Sequence, residues 1–158
     1  DHGHLDLLAQ QELPERAEAL NDFYERWQTD NQVVDKWFGI QAGSRLENTL
    51  SRVKELMSHP AFKLTNPNKV RALISVFAML NPTGFHAADG AGYAFVADRV
   101  KELDGLNPQV AARLAAAFNR WKRYDAGRKA LMKAALERID EKPGLLADVA
   151  EIVNSALK

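Results

Sequence analysis

Apolar residues recur along this chain at spacings of three and four, with polar residues filling the opposite side, which is the period of amphipathic α-helices. Pro14 opens a first helix with Ala17, Leu20, Phe23, Tyr24 and Trp27 on its apolar face. Asp30 is placed to cap a second, carrying Val34, Trp37, Phe38 and Gln41, and Asn48 a third, carrying Leu50, Val53, Leu56 and Met57. After His59-Pro60, Asn66 caps a fourth, with Val70, Leu73, Ile74 and Phe77. The Gly90 to Gly92 loop precedes a fifth, with Tyr93, Val96, Val100 and Leu103. Asn107 caps a sixth, with Val110, Leu114, Ala117 and Phe118. The seventh runs from about Ala126 to Ile139, and the eighth follows Pro143. Three Asn-Pro pairs, at Asn66, Asn81 and Asn107, combine a capping side chain with a residue that has no N–H to leave unpaired.

No stretch shows the alternation of a strand bounded by turns. The expected fold class is therefore all-α, about eight helices in antiparallel pairs joined by short loops. NPNKVRAL at Asn66 and NPQVAARL at Asn107 are 41 residues apart, the spacing of HEAT and armadillo helix pairs, so the pairs are expected to stack into a superhelix. We expect a single helical-repeat domain over 1–158, with residues 1–12 the remnant of a preceding helix. Asp1, in place of a methionine, points to a longer parent.

Composition narrows the function. The 158 residues are 46% hydrophobic and 27% charged, with 21 basic and 21 acidic side chains, enough to bury a real core. Zero net charge argues against nucleic-acid or anionic-membrane binding, both of which call for a basic excess. The absence of cysteine removes disulfides and thiolate metal sites. No apolar run approaches the roughly 18 residues that span a bilayer. The four histidines, His2, His4, His59 and His86, include no His-Glu-x-x-His pair, and His2-Gly3-His4 reads as a terminal tail.

Arg71 and Arg113 are the candidate binding residues. Each lies in the first two turns after an Asn-Pro start, Arg71 beside Ser75 and Ala78, Arg113 in line with Ala117. Small neighbours leave room before a guanidinium, whose fork binds a carboxylate through two parallel bonds. Stacked pairs would bring both to one concave wall, where a peptide's terminal carboxylate is a natural ligand. The plainer reading is solvated or ion-paired surface arginines. RWKRYD, from Arg120 to Asp125, reads as Trp121 and Tyr124 packing, Lys122 and Arg123 near a helix end, and Asp125 capping the next helix. His86, Asp89 and Tyr93 invite a catalytic interpretation but have no Ser or Cys nucleophile beside them. Gly90 and Gly92 are better explained by positive φ in a tight loop, with Asp89 accepting from the backbone. Trp27, Trp37, Phe38 and Phe77 are expected in the core.

One resemblance covers nearly the whole chain. VVDKWF at Val33, HPAF at His59, NPNKVRAL at Asn66, FHAADGAGYAF at Phe85, NPQVAAR at Asn107 and KRYD at Lys122 resemble, in order, the C-terminal end of the bacterial aminopeptidase N family, the M1-type zinc aminopeptidases. The resemblance implies a superhelical stack of helix pairs within a hydrolase that removes N-terminal residues from peptides with zinc-activated water. The zinc would lie in a separate catalytic domain upstream, so this chain is expected to be inactive alone and to contribute no metal ligand. Its expected partners are that catalytic domain and peptide substrates, and its expected setting is the cytoplasm. The family's C-terminal domain closes over the active-site chamber, which favours Arg71 and Arg113 as chamber-lining residues. The alternative is a stand-alone HEAT-like protein-binding module. A hydrolase built on His86 and Asp89 is the weakest of the three.

Overall fold

The computed structural model describes residues 14–158, which form two compact units divided between Gly84 and Phe85. The expected helix remnant at 1–12, with His2 and His4, lies outside the described residues. Among the described residues there is no strand, and the all-α reading stands.

The first unit contains α1 (Pro14–Trp27), α2 (Asn31–Ala42) and α3 (Thr49–Leu56). A continuous helical run follows: α4 (Pro67–Val70), a π turn (Arg71–Ser75) and α5 (Val76–Leu80). The short α6 (Pro82–Phe85) reaches the division between the units. Asp30 caps α2, its Oδ1 accepting from the N–H groups of Gln32 (3.1 Å) and Val33 (3.3 Å). Asn66 caps α4 through the N–H of Asn68 at 3.0 Å. Asn48 does not cap α3. Its ψ of 8° departs from the extended geometry that a capping side chain needs, and no side-chain cap bond forms. Thr49 fixes that corner instead, its hydroxyl donating to the Ser44 carbonyl at 2.8 Å.

α2 is the central element, packed against α1, α3, the π turn and α5. It buries Val34, Trp37, Phe38 and Gln41, and the run after Asn66, against which it packs, buries Val70, Leu73, Ile74 and Phe77. Trp37 Nε1 donates to the Leu20 carbonyl at 2.9 Å and joins α2 to α1. The HPAF segment closes α3, with the His59 ring between Tyr24 (4.5 Å), Trp37 (5.1 Å) and Phe38 (5.8 Å). Its Nδ1 accepts from the Ala61 N–H at 3.0 Å. Trp27 departs from expectation: as the last residue of α1 it is 37% exposed rather than in the core.

Asn81, 1% exposed, ties the end of α5 to the end of α2. Its Nδ2 donates to the carbonyls of Ala42 and Ser44, both at 2.8 Å, while Oδ1 accepts from the Gly84 N–H at 3.0 Å.

The second unit contains α7 (Ala91–Asp104), α8 (Pro108–Ala115), α9 (Ala126–Asp140) and α10 (Ala147–Leu157). α7 packs on α8 and α9, and α10 on α8 and α9. Gly90 precedes α7 with φ +77°, where its missing Cβ matters. Gly92 differs from expectation: it lies inside α7 without positive φ. Asn107 Oδ1 caps α8 through Val110 N–H (3.2 Å), and Asp125 Oδ2 caps α9 through Arg128 N–H (3.0 Å). Asp104, fully buried at the end of α7, takes Lys142 Nζ at 3.1 Å and accepts from Leu146 N–H, securing the entry to α10. Trp121 is buried with Nε1 donating to the Ala156 carbonyl at 3.0 Å, and Lys122 lies over its ring. Lys122 and Arg123 belong to a short 3-10 turn. Tyr124 does not pack on Trp121 in the described contacts; it stacks on His86 at 4.4 Å.

Candidate functional site

In the first unit, α2 and the helical run after Asn66 border a surface groove of about 530 Å³. α2 supplies Asp35, Lys36, Gly39 and Ile40. The facing wall is Asn68, Arg71, Ala72, Val76 and Leu80. The volume is that of a small-molecule or peptide-residue site.

The π turn sets this wall. In a regular α-helix the neighbours of Arg71 would be Ser75 and Ala78, as the sequence suggests. One wider turn beginning at Arg71 shifts the register. Val76 and Leu80, five and nine residues on, share the groove with Arg71, while Ala78 is buried. Gly39 and Ala72 are the small residues that line the groove with Arg71. Such single-turn π segments occur preferentially at functional sites.

The charges of the groove do not cancel. Asp35 Oδ1 accepts from Lys69 Nζ at 2.5 Å, and Lys69 is itself buried. Arg71 is exposed, and its Nη1 donates to the neutral Asn68 Oδ1 at 2.9 Å. Among the described residues neither Arg71 nor Lys36 has a carboxylate in ion-pairing distance. The groove therefore presents two uncompensated cations beside an apolar floor. Lys36, Ile40, Val76 and Leu80 escaped the sequence reading. A usable signal was the side of α2 opposite Val34, Trp37 and Phe38, where Lys36 and Ile40 are four residues apart.

Arg113 lies exposed on α8 in the second unit, and among the described residues it has no hydrogen-bonding or ion-pairing partner. Leu114 and Ala115 beside it are buried.

His86, Asp89 and Tyr93 do not assemble a catalytic group. Asp89 Oδ1 accepts from the Ala91 N–H at 3.0 Å, as a turn residue does. His86 Nδ1 lies 2.6 Å from the Tyr93 hydroxyl. Burial, opposed by nearby Arg128, pushes the Tyr93 pKa up to about 12, so its hydroxyl keeps the proton. Burial, then Arg128, lowers the His86 pKa. The Tyr93 hydroxyl and His86 Nδ1 thus share one hydrogen bond inside the second unit. Arg128 Nε donates to the His86 carbonyl at 2.7 Å and Nη1 to Asp125 Oδ1 at 3.1 Å. The backbone N–H and then the side chain of Arg128 hold the exposed Asp125 carboxyl below its usual range. The network is a brace between the start of the second unit and α9.

Among the described residues no group of three or more His, Asp or Glu is arranged to hold a metal ion. No helix among them is long and apolar enough to cross a membrane.

The comparisons with known proteins agree on a relationship. Aminopeptidase N of Caulobacter vibrioides is 45% identical over 142 residues, covering 90% of this chain and 16% of that protein. Aminopeptidase N of Escherichia coli is 42% identical over 146 residues, covering 92% of this chain and 17% of that protein. Among solved structures, Legionella pneumophila aminopeptidase A in complex with aspartic acid superposes with a TM-score of 0.92 at 40% identity, over 97% of this chain and 18% of that one. The chain thus spans about one sixth of the length of the relatives it matches. A family described as a domain of unknown function (DUF3458_C) with ARM repeats matches residues 1–158. The chain belongs to this ARM-repeat family and is homologous to the C-terminal region of aminopeptidases.

Proposed function

We propose that this chain is the non-catalytic C-terminal domain of a zinc aminopeptidase, and that it closes over and shapes the chamber in which N-terminal residues are removed from peptides. Arg71 in the first unit and Arg113 in the second each offer a guanidinium for the carboxylate at the far end of a peptide. The observation that carries this reading is the setting of Arg71: an exposed guanidinium on a π turn, bordering a groove, hydrogen-bonded to a neutral asparagine. A guanidinium occupied by Asp or Glu would have no fork to offer a substrate. Arg113 contributes a second exposed cation without a carboxylate partner among the described residues. The zinc, the general base and the scissile bond belong to a catalytic domain of the same polypeptide, and the setting is cytoplasmic.

The test uses the full-length parent with Arg71→Ala and Arg113→Ala. Each substitution lowers kcat/KM for short peptides with a free carboxylate by roughly 10- to 150-fold, the value of a charge-assisted contact of about 1.5–3 kcal/mol. Aminoacyl chromogenic substrates lack that carboxylate and lose much less. Equal losses on both substrate classes, or none on either, return the arginines to a structural role.

A further inference from the structure

The groove beside Arg71 has a floor that a carboxylate does not require. Ile40, Ala72, Val76 and Leu80 line it with hydrocarbon, and Leu80 is 68% exposed. Gly39 holds the floor open on the α2 side. A Cβ there would meet the Ala72 carbonyl oxygen at 3.5 Å and Val76 Cγ2 at 3.9 Å, which are ordinary contacts, so the fold does not exclude a side chain. A methyl group at Gly39 would occupy groove space without straining the helices. The groove thus combines, along one lining, two cations whose charge is uncompensated and an apolar wall.

That combination has a specific ligand chemistry. In the last residue of a peptide the carboxylate and the side chain branch from one Cα. A site for such a residue needs a cation and a side-chain pocket side by side. We infer that this groove is a specificity pocket for the carboxyl-terminal residue of the peptide substrate: Arg71, assisted by Lys36, holds the carboxylate, and Ile40, Val76 and Leu80 receive an apolar side chain. This rests on the reading of Arg71 proposed above. Charge complementarity selects a free peptide end over an amidated one, and the hydrocarbon floor selects leucine-like over small or charged residues.

The experiment uses the full-length parent enzyme and pairs of free-acid tetrapeptides identical except for a final Leu or Gly. The readout is the Leu:Gly ratio of kcat/KM within each enzyme, which cancels any general loss of activity. The wild type favours Leu by about tenfold, the scale set by partly burying one leucine side chain. Leu80→Ser removes apolar wall and Gly39→Ala fills the floor, and each brings the ratio to within about twofold of one. Arg71→Ala lowers both peptides together and leaves much of the ratio. If Arg71→Ala lowers both peptides but the wild-type ratio is one, or the preference survives intact in Leu80→Ser, the pocket is overturned and the carboxylate reading stands. If Arg71→Ala affects neither peptide, the carboxylate reading fails and the pocket fails with it.

Discussion

Arg71 and Val76 line the same groove although five residues separate them. The π turn that begins at Arg71 makes this possible, because one extra residue per turn moves the alignment from the fourth neighbour to the fifth. The buried side of the run is not disturbed: Val70, Leu73, Ile74 and Phe77 all remain in the core.

Asn81 is expected to be a strong determinant of stability in the first unit. Asn81→Ala removes two buried donors, takes this partner from the Ala42 carbonyl and leaves the Ser44 carbonyl with the Thr49 hydroxyl. A loss of about 2–3 kcal/mol in urea unfolding of the chain follows. Asn81→Asp keeps the acceptor for Gly84 but not the donors, and should lose a comparable amount. A loss below about 0.5 kcal/mol, the scale of an ordinary surface change, would refute this role.

Two glycines should respond in opposite directions. A Cβ on Gly84 would come within 2.7 Å of Phe77 Cε1, part of a fully buried ring, so Gly84→Ala should destabilise by about 1–3 kcal/mol. Gly39→Ala meets only ordinary contacts inside α2 and should stabilise by about 0.4–1 kcal/mol. Thermal unfolding of the two variants checks the contrast, and a matching sign would contradict it.

The histidines give the chain an acid-sensitive stability. Burial, then Arg52, lowers the His59 pKa, and burial, then Arg128, lowers that of His86, both from 6.5. In the unfolded chain both imidazoles bind protons more readily, so protonation favours unfolding. Their contribution is full above about pH 6.5 and is lost as pH falls through the folded-state values. Urea midpoints should fall between pH 7.5 and 5.5, and less steeply in His86→Gln. A midpoint that is flat or rises over this range would contradict the assignment.

Much of this architecture was legible because helix starts are local events. Asp30, Asn66, Asn107 and Asp125 cap helices through their own side chains, and each signal lies within three residues of its effect. Asn48 has the same chemistry but not the backbone geometry, which depends on Thr49 and Ser44. The π turn was not legible, because the buried spacing around it is that of an ordinary α-helix. The groove was legible only in part. Arg71 stood out for its position after Asn66-Pro67, whereas Lys36 and Ile40 join it through packing of segments some 30 residues apart. The same holds for Asn81, whose acceptors lie 39 and 37 residues upstream.

The most direct test of the account compares a free-acid tetrapeptide with its C-terminal amide, in the full-length wild-type enzyme and in Arg71→Ala. This forms a double-mutant cycle between one side chain and one substrate group. The wild type should favour the acid by roughly 10- to 150-fold in kcat/KM, and Arg71→Ala should reduce that preference to near one by losing activity on the acid rather than on the amide. An acid-to-amide ratio that is the same in both enzymes would contradict the claim that Arg71 holds the peptide carboxylate.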